Sequence, residues 1–199
     1  MGQNLTIGKL SNLYLDKHKS SSEIARIIQC SENKINYWLN KYRIKKRTIS
    51  EAVYLKCNPK GDPFTIKSNL NRDEVKLNAV GLGIYWGEGD KSPNNTSIRV
   101  SNTDPFLIKK FREFLKKIYK VKKDKIQYSL ILFNDIDKKI AVEFWKKELK
   151  IKEKQLGKII VIPSQGKGMY KNKSKYGVLT IIFTNKKLKE KILKDIKKL

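Results

Sequence analysis

The sequence predicts an α+β protein, with a small three-helix domain at the N-terminus followed by a larger mixed α/β domain. Three observations predict it. Residues 1–48 carry only helical periodicity, broken by short polar turns. The Pro/Gly cluster NPKGDP at 58–63 interrupts any continuous element. From Asn71 onward, helix-length amphipathic stretches alternate with short β-branched runs. The alternation is irregular, which indicates a mixed domain rather than a repeat array. The expected boundaries are 1–48 and 71–199, with 49–70 as a linker holding one possible short helix.

The N-terminal elements follow in order. Residues 5–17 place Ile7, Leu10, Leu13 and Tyr14 at helical spacing. Ser20 and Glu23 form the S-x-x-E pattern of a capping box, and Ile24, Ala25, Ile27 and Ile28 supply an apolar face behind it. Gln29-Cys30 is a short break. Ser31 can cap a third helix, ENKINYWLNKY, whose Ile35, Leu39 and Tyr42 point inward. The pattern SxxEIAxxxxCSxxxIxxxLxxY resembles the helix-turn-helix of many site-specific DNA-binding proteins. On the third helix Asn33, Lys34, Asn36, Tyr37 and Lys41 are expected on the surface. Asn33 and Asn36 are the better base readers, because an amide pairs bidentately with adenine. Arg43, Lys45, Lys46 and Arg47 follow directly and are placed to grip phosphate.

In the second domain, residues 71–89 read as a helix with Asp73 and Glu74 in its first turn, where the dipole favours acids. TSIRVSN is a strand. Asp104 and Pro105 mark the start of the next helix as N-cap and N1. KIQYSLILF is a strand, 137–149 a helix, KIIVIP and YGVLTIIFT strands, and KKLKEKILKDIKKL an amphipathic helix. Phe144, Trp145 and Leu149 are assigned to the core.

Composition narrows the function. Of 199 residues, 45 are Lys or Arg and 19 are Asp or Glu, a formal charge of +26 that calls for a polyanionic partner, with double-stranded DNA the leading candidate. Hydrophobic residues make up 39%, enough for a packed core. No stretch is long enough to span a bilayer and no secretory signal opens the sequence, so a cytoplasmic, nucleoid-associated protein is expected, with no membrane partner and no small-molecule substrate. Cys30 and Cys57 form no C-x-x-C pair, and His18 is the only histidine. This argues against a structural zinc site and a histidine general base.

The stretch GLGIYWGEGDK at 81–91 stands apart. Ala79, Gly83 and Gly87 are spaced by four and so share one helical stripe. Helical glycine costs about 1 kcal/mol against alanine, so the stripe is expected to form a close helix–helix contact. Glu88 falls at the helix C-terminus, where partial negative charge disfavours an acid unless a cation binds. At these residues the chain resembles a divergent LAGLIDADG homing-endonuclease motif. Gly83 stands for the motif's first glycine, Ile84 for its second leucine, Glu88 for its final acid and Gly89 for its final glycine. The sequence departs from the motif at Gly81-Leu82 and at Trp86, which replaces its first acid. The segment between Glu88 and Asp104 truncates the family's two-stranded hairpin, and the helix at 137–149 is additional.

The resemblance implies a homodimer with Ala79, Gly83 and Gly87 in its seam, and one Mg²⁺ ligand, Glu88, from each copy. Lys91, three residues on, is placed to offset charge developing on phosphorus. Further contacts are expected from Arg99 on the strand at 97–101, from Lys125 and Gln127 on the next strand, and from Lys167, Lys171, Lys173 and Lys175 in the loop at 165–175. Two function classes remain open: a site-specific homodimeric DNA endonuclease hydrolysing phosphodiester bonds with a divalent metal, and a catalytically inactive transcriptional regulator on the same scaffold.

Overall fold

The computed structural model describes residues 5–164 and 174–199. The chain divides into two compact units between Asp62 and Pro63. The class is α+β, with a four-stranded mixed sheet among the described residues.

The first unit is helical. α1 (Ile7–Ser11) runs into a wider turn at Asn12–Asp16, and α2 (Ser21–Ile28), α3 (Glu32–Lys41) and α4 (Ile49–Cys57) follow. Leu10, Leu13, Tyr14, Ile24, Ala25, Ile35 and Leu39 are buried together, while Ile7 stays exposed. Ser20 and Glu23 do form a capping box, and Ser31 accepts from the Lys34 N–H. Gln29 takes the left-handed conformation that ends α2 (φ 57°).

The span 49–70, expected as a linker, is divided by the structure. Its first part forms α4, capped by a Thr48–Glu51 capping box. Its last part belongs to the second unit. The Thr65 and Lys67 N–H groups donate to the Tyr119 and Ile118 carbonyls, and Phe64 and Leu70 pack on that core. The alternating apolar residues Phe64 and Ile66 had no strand partner within the segment itself, so sequence periodicity gave no reason to place it.

The second unit runs α5 (Arg72–Glu88), β1 (Ser97–Asn102), α6 (Pro105–Lys117), β2 (Gln127–Phe133), α7 (Lys138–Leu149), β3 (Leu156–Ile162), β4 (Val178–Thr184) and α8 (Lys186–Ile196). The strand order is β1-β4-β2-β3. β4 is antiparallel to both β1 and β2, and β3 is parallel to β2, so β4 runs against the other three. Ile98, Val100, Tyr128, Leu130, Leu132, Leu179, Ile181 and Phe183 turn one face of the sheet into the core, where Leu82, Tyr85, Phe111, Phe114 and Trp145 meet it from the helices. Asp104 caps α6 through the Phe106 N–H at 2.7 Å, with Pro105 next, as the sequence predicts.

The alternation is more regular than expected. EFLKKIYKVK at 113–122 returns as EFWKKELKIK at 143–152, with six of ten positions identical. The structure repeats with it. A helix ends, a lysine turns left-handed (Lys120 φ 42°, Lys150 φ 49°), a single 3₁₀ turn follows (Lys123–Lys125, Glu153–Gln155), and a strand begins. Because β2 and β3 are parallel neighbours, the two copies of this turn lie side by side at one end of the sheet.

Candidate nucleic-acid interface

In the helical unit the outward face of α3 presents Asn33, Lys34, Tyr37 and Lys41 to solvent, Tyr37 at 58% exposure. Behind them Trp38 stacks on Tyr42 (centroids 5.3 Å apart), and the Lys41 ammonium lies 4.6 Å from the Trp38 ring centre. The aromatic pair thus holds the end of α3, and a cation sits over it. Arg43, Lys45 and Lys46 are exposed.

One expected base reader, Asn36, and one expected phosphate contact, Arg47, turn inward instead. The Asn36 side-chain oxygen accepts from the Ser21 hydroxyl at 3.3 Å, tying α3 to α2. Arg47 folds back over the Tyr14 ring, 4.1 Å from its centre. Its guanidinium donates to the His18 and Tyr14 carbonyls at 3.0 Å each and to the Lys19 carbonyl. A planar fork of five donors satisfies several converging carbonyls where a lysine cannot; Tyr14 belongs to the last turn of the first helical segment, and His18 and Lys19 to the turn that follows it. Arg47 is therefore a structural clamp, and it fixes the chain on which Arg43, Lys45 and Lys46 stand.

In the second unit Arg99 and Gln127 lie on the sheet face opposite the core. Each pairs across β4 with Ile182, so the three form one row. Ser97–Thr184 and Ser101–Thr180 hydroxyl pairs at 2.9 and 2.8 Å flank that row. Lys125 leaves the expected strand: its N–H donates to the Lys122 carbonyl and closes the 3₁₀ turn ahead of β2. Lys175 is exposed beside the Tyr176 ring. Lys167, Lys171 and Lys173 lie outside the described residues.

Glu88 is the last residue of α5 and is exposed, with no hydrogen bond or ion pair among the described residues. Lys91 does not face it. The Lys91 ammonium donates to the Trp86 carbonyl at 2.5 Å, where a cation complements the helix C-terminus. Asp90 is fully engaged. It accepts from the Asn95 side-chain amide and from the Ser92 N–H at 2.9 Å. These bonds, with Lys189 and Arg99 nearby, hold its carboxyl below the usual range. Lys189 reaches from α8 into the same loop and donates to the Ser92 and Asn95 carbonyls at 2.9 and 2.7 Å; burial lowers its ammonium. The loop behind Glu88 is thus pinned, while the Glu88 carboxylate itself has no partner among the described residues. Among the described residues no three His, Cys, Asp or Glu side chains gather to hold a metal.

The glycine that permits helix–helix approach is Gly81, not the expected stripe. A Cβ at Gly81 would stand 2.1 Å from the Phe114 ring on α6, whereas at Gly83 and Gly87 it would meet nothing within 4 Å. Ala79, Gly83 and Gly87 face outward with Val75, Val80 and Trp86, the last 61% exposed. The spacing by four correctly groups the stripe on one face but does not say which face meets α6. Sequence reasoning also passed over Lys189 and Gln155. Lys189 carried a signal, because it falls four residues after Asn185 and beside Leu188 on the inward face of α8.

No known family model, curated protein or solved structure matches this chain. Among the described residues no helix is long and apolar enough to cross a membrane.

Proposed function

We propose that this chain is a DNA-binding protein that acts as a homodimer, reading duplex DNA with α3 and holding its backbone with exposed basic residues. The observation that carries the reading is the outward face of α3. Asn33, Lys34, Tyr37 and Lys41 share it, and Arg43, Lys45 and Lys46 follow on a segment clamped by Arg47. A formal charge of +26 supplies the sequence-independent attraction. The unpartnered apolar face of α5, with small residues at its centre, is the surface on which a second copy would sit.

The test is duplex binding by the full chain across a salt series, followed by site selection from a random library. Affinity falls steeply as salt rises, and replacing Asn33 or Tyr37 with alanine relaxes the selected sequence. A chain that retains no duplex at low salt refutes the reading.

A second reading, a divalent-metal-dependent DNA endonuclease, is favoured by one observation. The Glu88 carboxylate, without a partner among the described residues, stands at the negative end of the helix whose outward face is apolar, so pairing two copies on that face would bring two such carboxylates into one assembly. Supercoiled plasmid incubated with Mg²⁺ and with EDTA decides between them. Cleavage that requires Mg²⁺ and disappears in Glu88→Gln supports the nuclease; binding without cleavage leaves the regulator.

A further inference from the structure

The repeated turn has a consequence for charge. One copy carries Lys120, Lys122, Lys123 and Lys125, and the other carries Lys150, Lys152 and Lys154; all seven are exposed. Several lysines elsewhere in this unit are paired with acids, as in Lys67–Glu74, Lys109–Glu148, Lys117–Glu113 and Lys191–Asp195. Exposed helix lysines without such a pair among the described residues, such as Lys138, Lys139, Lys147 and Lys194, are not gathered on adjacent turns. None of the seven is ion-paired among the described residues. Of the two acids in the turns, Glu153 is already taken by Lys146 from α7.

The two turns are held together by one buried side chain. Gln155, 3% exposed, donates through its amide to the Lys123 and Ile126 carbonyls at 2.8 and 2.9 Å, and accepts from the Lys152 N–H at 3.3 Å. Gln155 occupies in the second copy the place Lys125 holds in the first, and both N–H groups close the same 3₁₀ turn. The first turn is anchored again where the Lys122 N–H donates to the Pro63 carbonyl at 3.1 Å. Like charges are therefore assembled on a fixed backbone. Mutual repulsion makes this unfavourable unless an anion binds.

We propose that these twin turns form a second DNA-contacting surface, which engages the phosphate backbone without reading sequence. This rests on the DNA-binding reading above. The chemistry favours a phosphate backbone over a lipid surface. The apolar residues within the turns, Val121, Ile126 and Ile151, are all buried, so nothing among the lysines is available to insert into a bilayer. Several ammonium groups on a rigid ledge suit a polymer that surrenders one condensed counterion for each phosphate neutralised.

The experiment compares the full-length wild type with two variants carrying four Lys→Gln changes each. One removes Lys122, Lys123, Lys152 and Lys154. The other removes the same charge from helix surfaces, at Lys138, Lys139, Lys147 and Lys194. Affinity for a random-sequence duplex is measured against salt, with circular dichroism confirming that each variant is folded. The turn variant is expected to bind at least about tenfold more weakly at low salt, with the salt dependence reduced by roughly 0.9 for each phosphate no longer neutralised; the helix variant stays near wild type. A wild type that binds duplex, with a turn variant that matches it or a helix variant that weakens as much, overturns this inference alone. A wild type that does not bind overturns both readings.

Discussion

The two faces of α5 use the same residue for opposite ends. On the inner face Gly81 lets Phe114 come so close that no side chain fits, and Phe114 cannot retreat because Phe111 and Tyr119 ring it at 5.6 and 5.2 Å. On the outer face Gly83 and Gly87 border open space. The same contrast recurs in the basic run after α3, where Arg47 is folded onto three carbonyls while Lys46, its neighbour, is exposed. Within the first pair the residue type is the same, and within the second the charge is the same and the positions are adjacent. What separates them is which face the rest of the fold covers.

Unfolding measurements can break or sharpen this contrast. Gly81→Ala is expected to have the largest effect, about 3 kcal/mol or more, because the new methyl overlaps a ring with no room to shift. A variant as stable as wild type would mean α5 and α6 are not so closely packed. Arg47→Ala should lower stability by about 2 kcal/mol by leaving its carbonyls without a donor, while Lys46→Ala stays within about 0.5 kcal/mol. Equal effects would remove the clamp. Gly83→Ala should stabilise an isolated chain by about 0.5–1 kcal/mol through helix propensity alone. Gly83→Leu should leave the fold intact yet abolish any dimer seen by light scattering, which places association on the outer face. The smallest change concerns Glu23, outward-facing but fixed by its own cap. Bonds from the Ser20 N–H, Lys19 and the Ser20 hydroxyl bring its carboxyl from 4.5 to about 2. A lowered carboxylate stabilises the fold above its unfolded value and loses that contribution as pH falls toward 2. Glu23→Gln should therefore cost roughly a few tenths of a kcal/mol at neutral pH, being solvent-screened, and match wild type near pH 2.

The sequence was most legible where structure is local. Among the described residues, the caps at Ser20, Ser31 and Asp104 and the helices and strands of the second domain follow from patterns spanning a few residues. What was not legible depends on partners far along the chain. The segment at 63–70 takes its place only from hydrogen bonds to Ile118 and Tyr119. Arg47 reads as one more surface cation until Tyr14, His18 and Lys19 are folded against it. Lys125 fits strand alternation, and only the Lys122 carbonyl shows that it belongs to a turn. Glu88 and the exposed face of α3 were legible as candidates because both stand at positions that local helix rules already mark.

The position of β4 bears on the order in which the second unit can form. β4 lies between β1 and β2, yet it is the last strand in the sequence, and its hydroxyl pairs with β1 span 79 and 87 residues. Among the described residues β1 has no other strand partner apart from the single bridge between Gly89 and Val100. Until β4 has left the ribosome, β1 has no ladder, and β2 and β3 form a two-stranded piece with an open edge. The closure is a long-range one, of the kind that slows folding. A chain interrupted before Val178 leaves the apolar edges of β1 and β2 exposed to neighbouring molecules. The arrival of a single seven-residue segment therefore gives β1 and β2 their shared partner in one step.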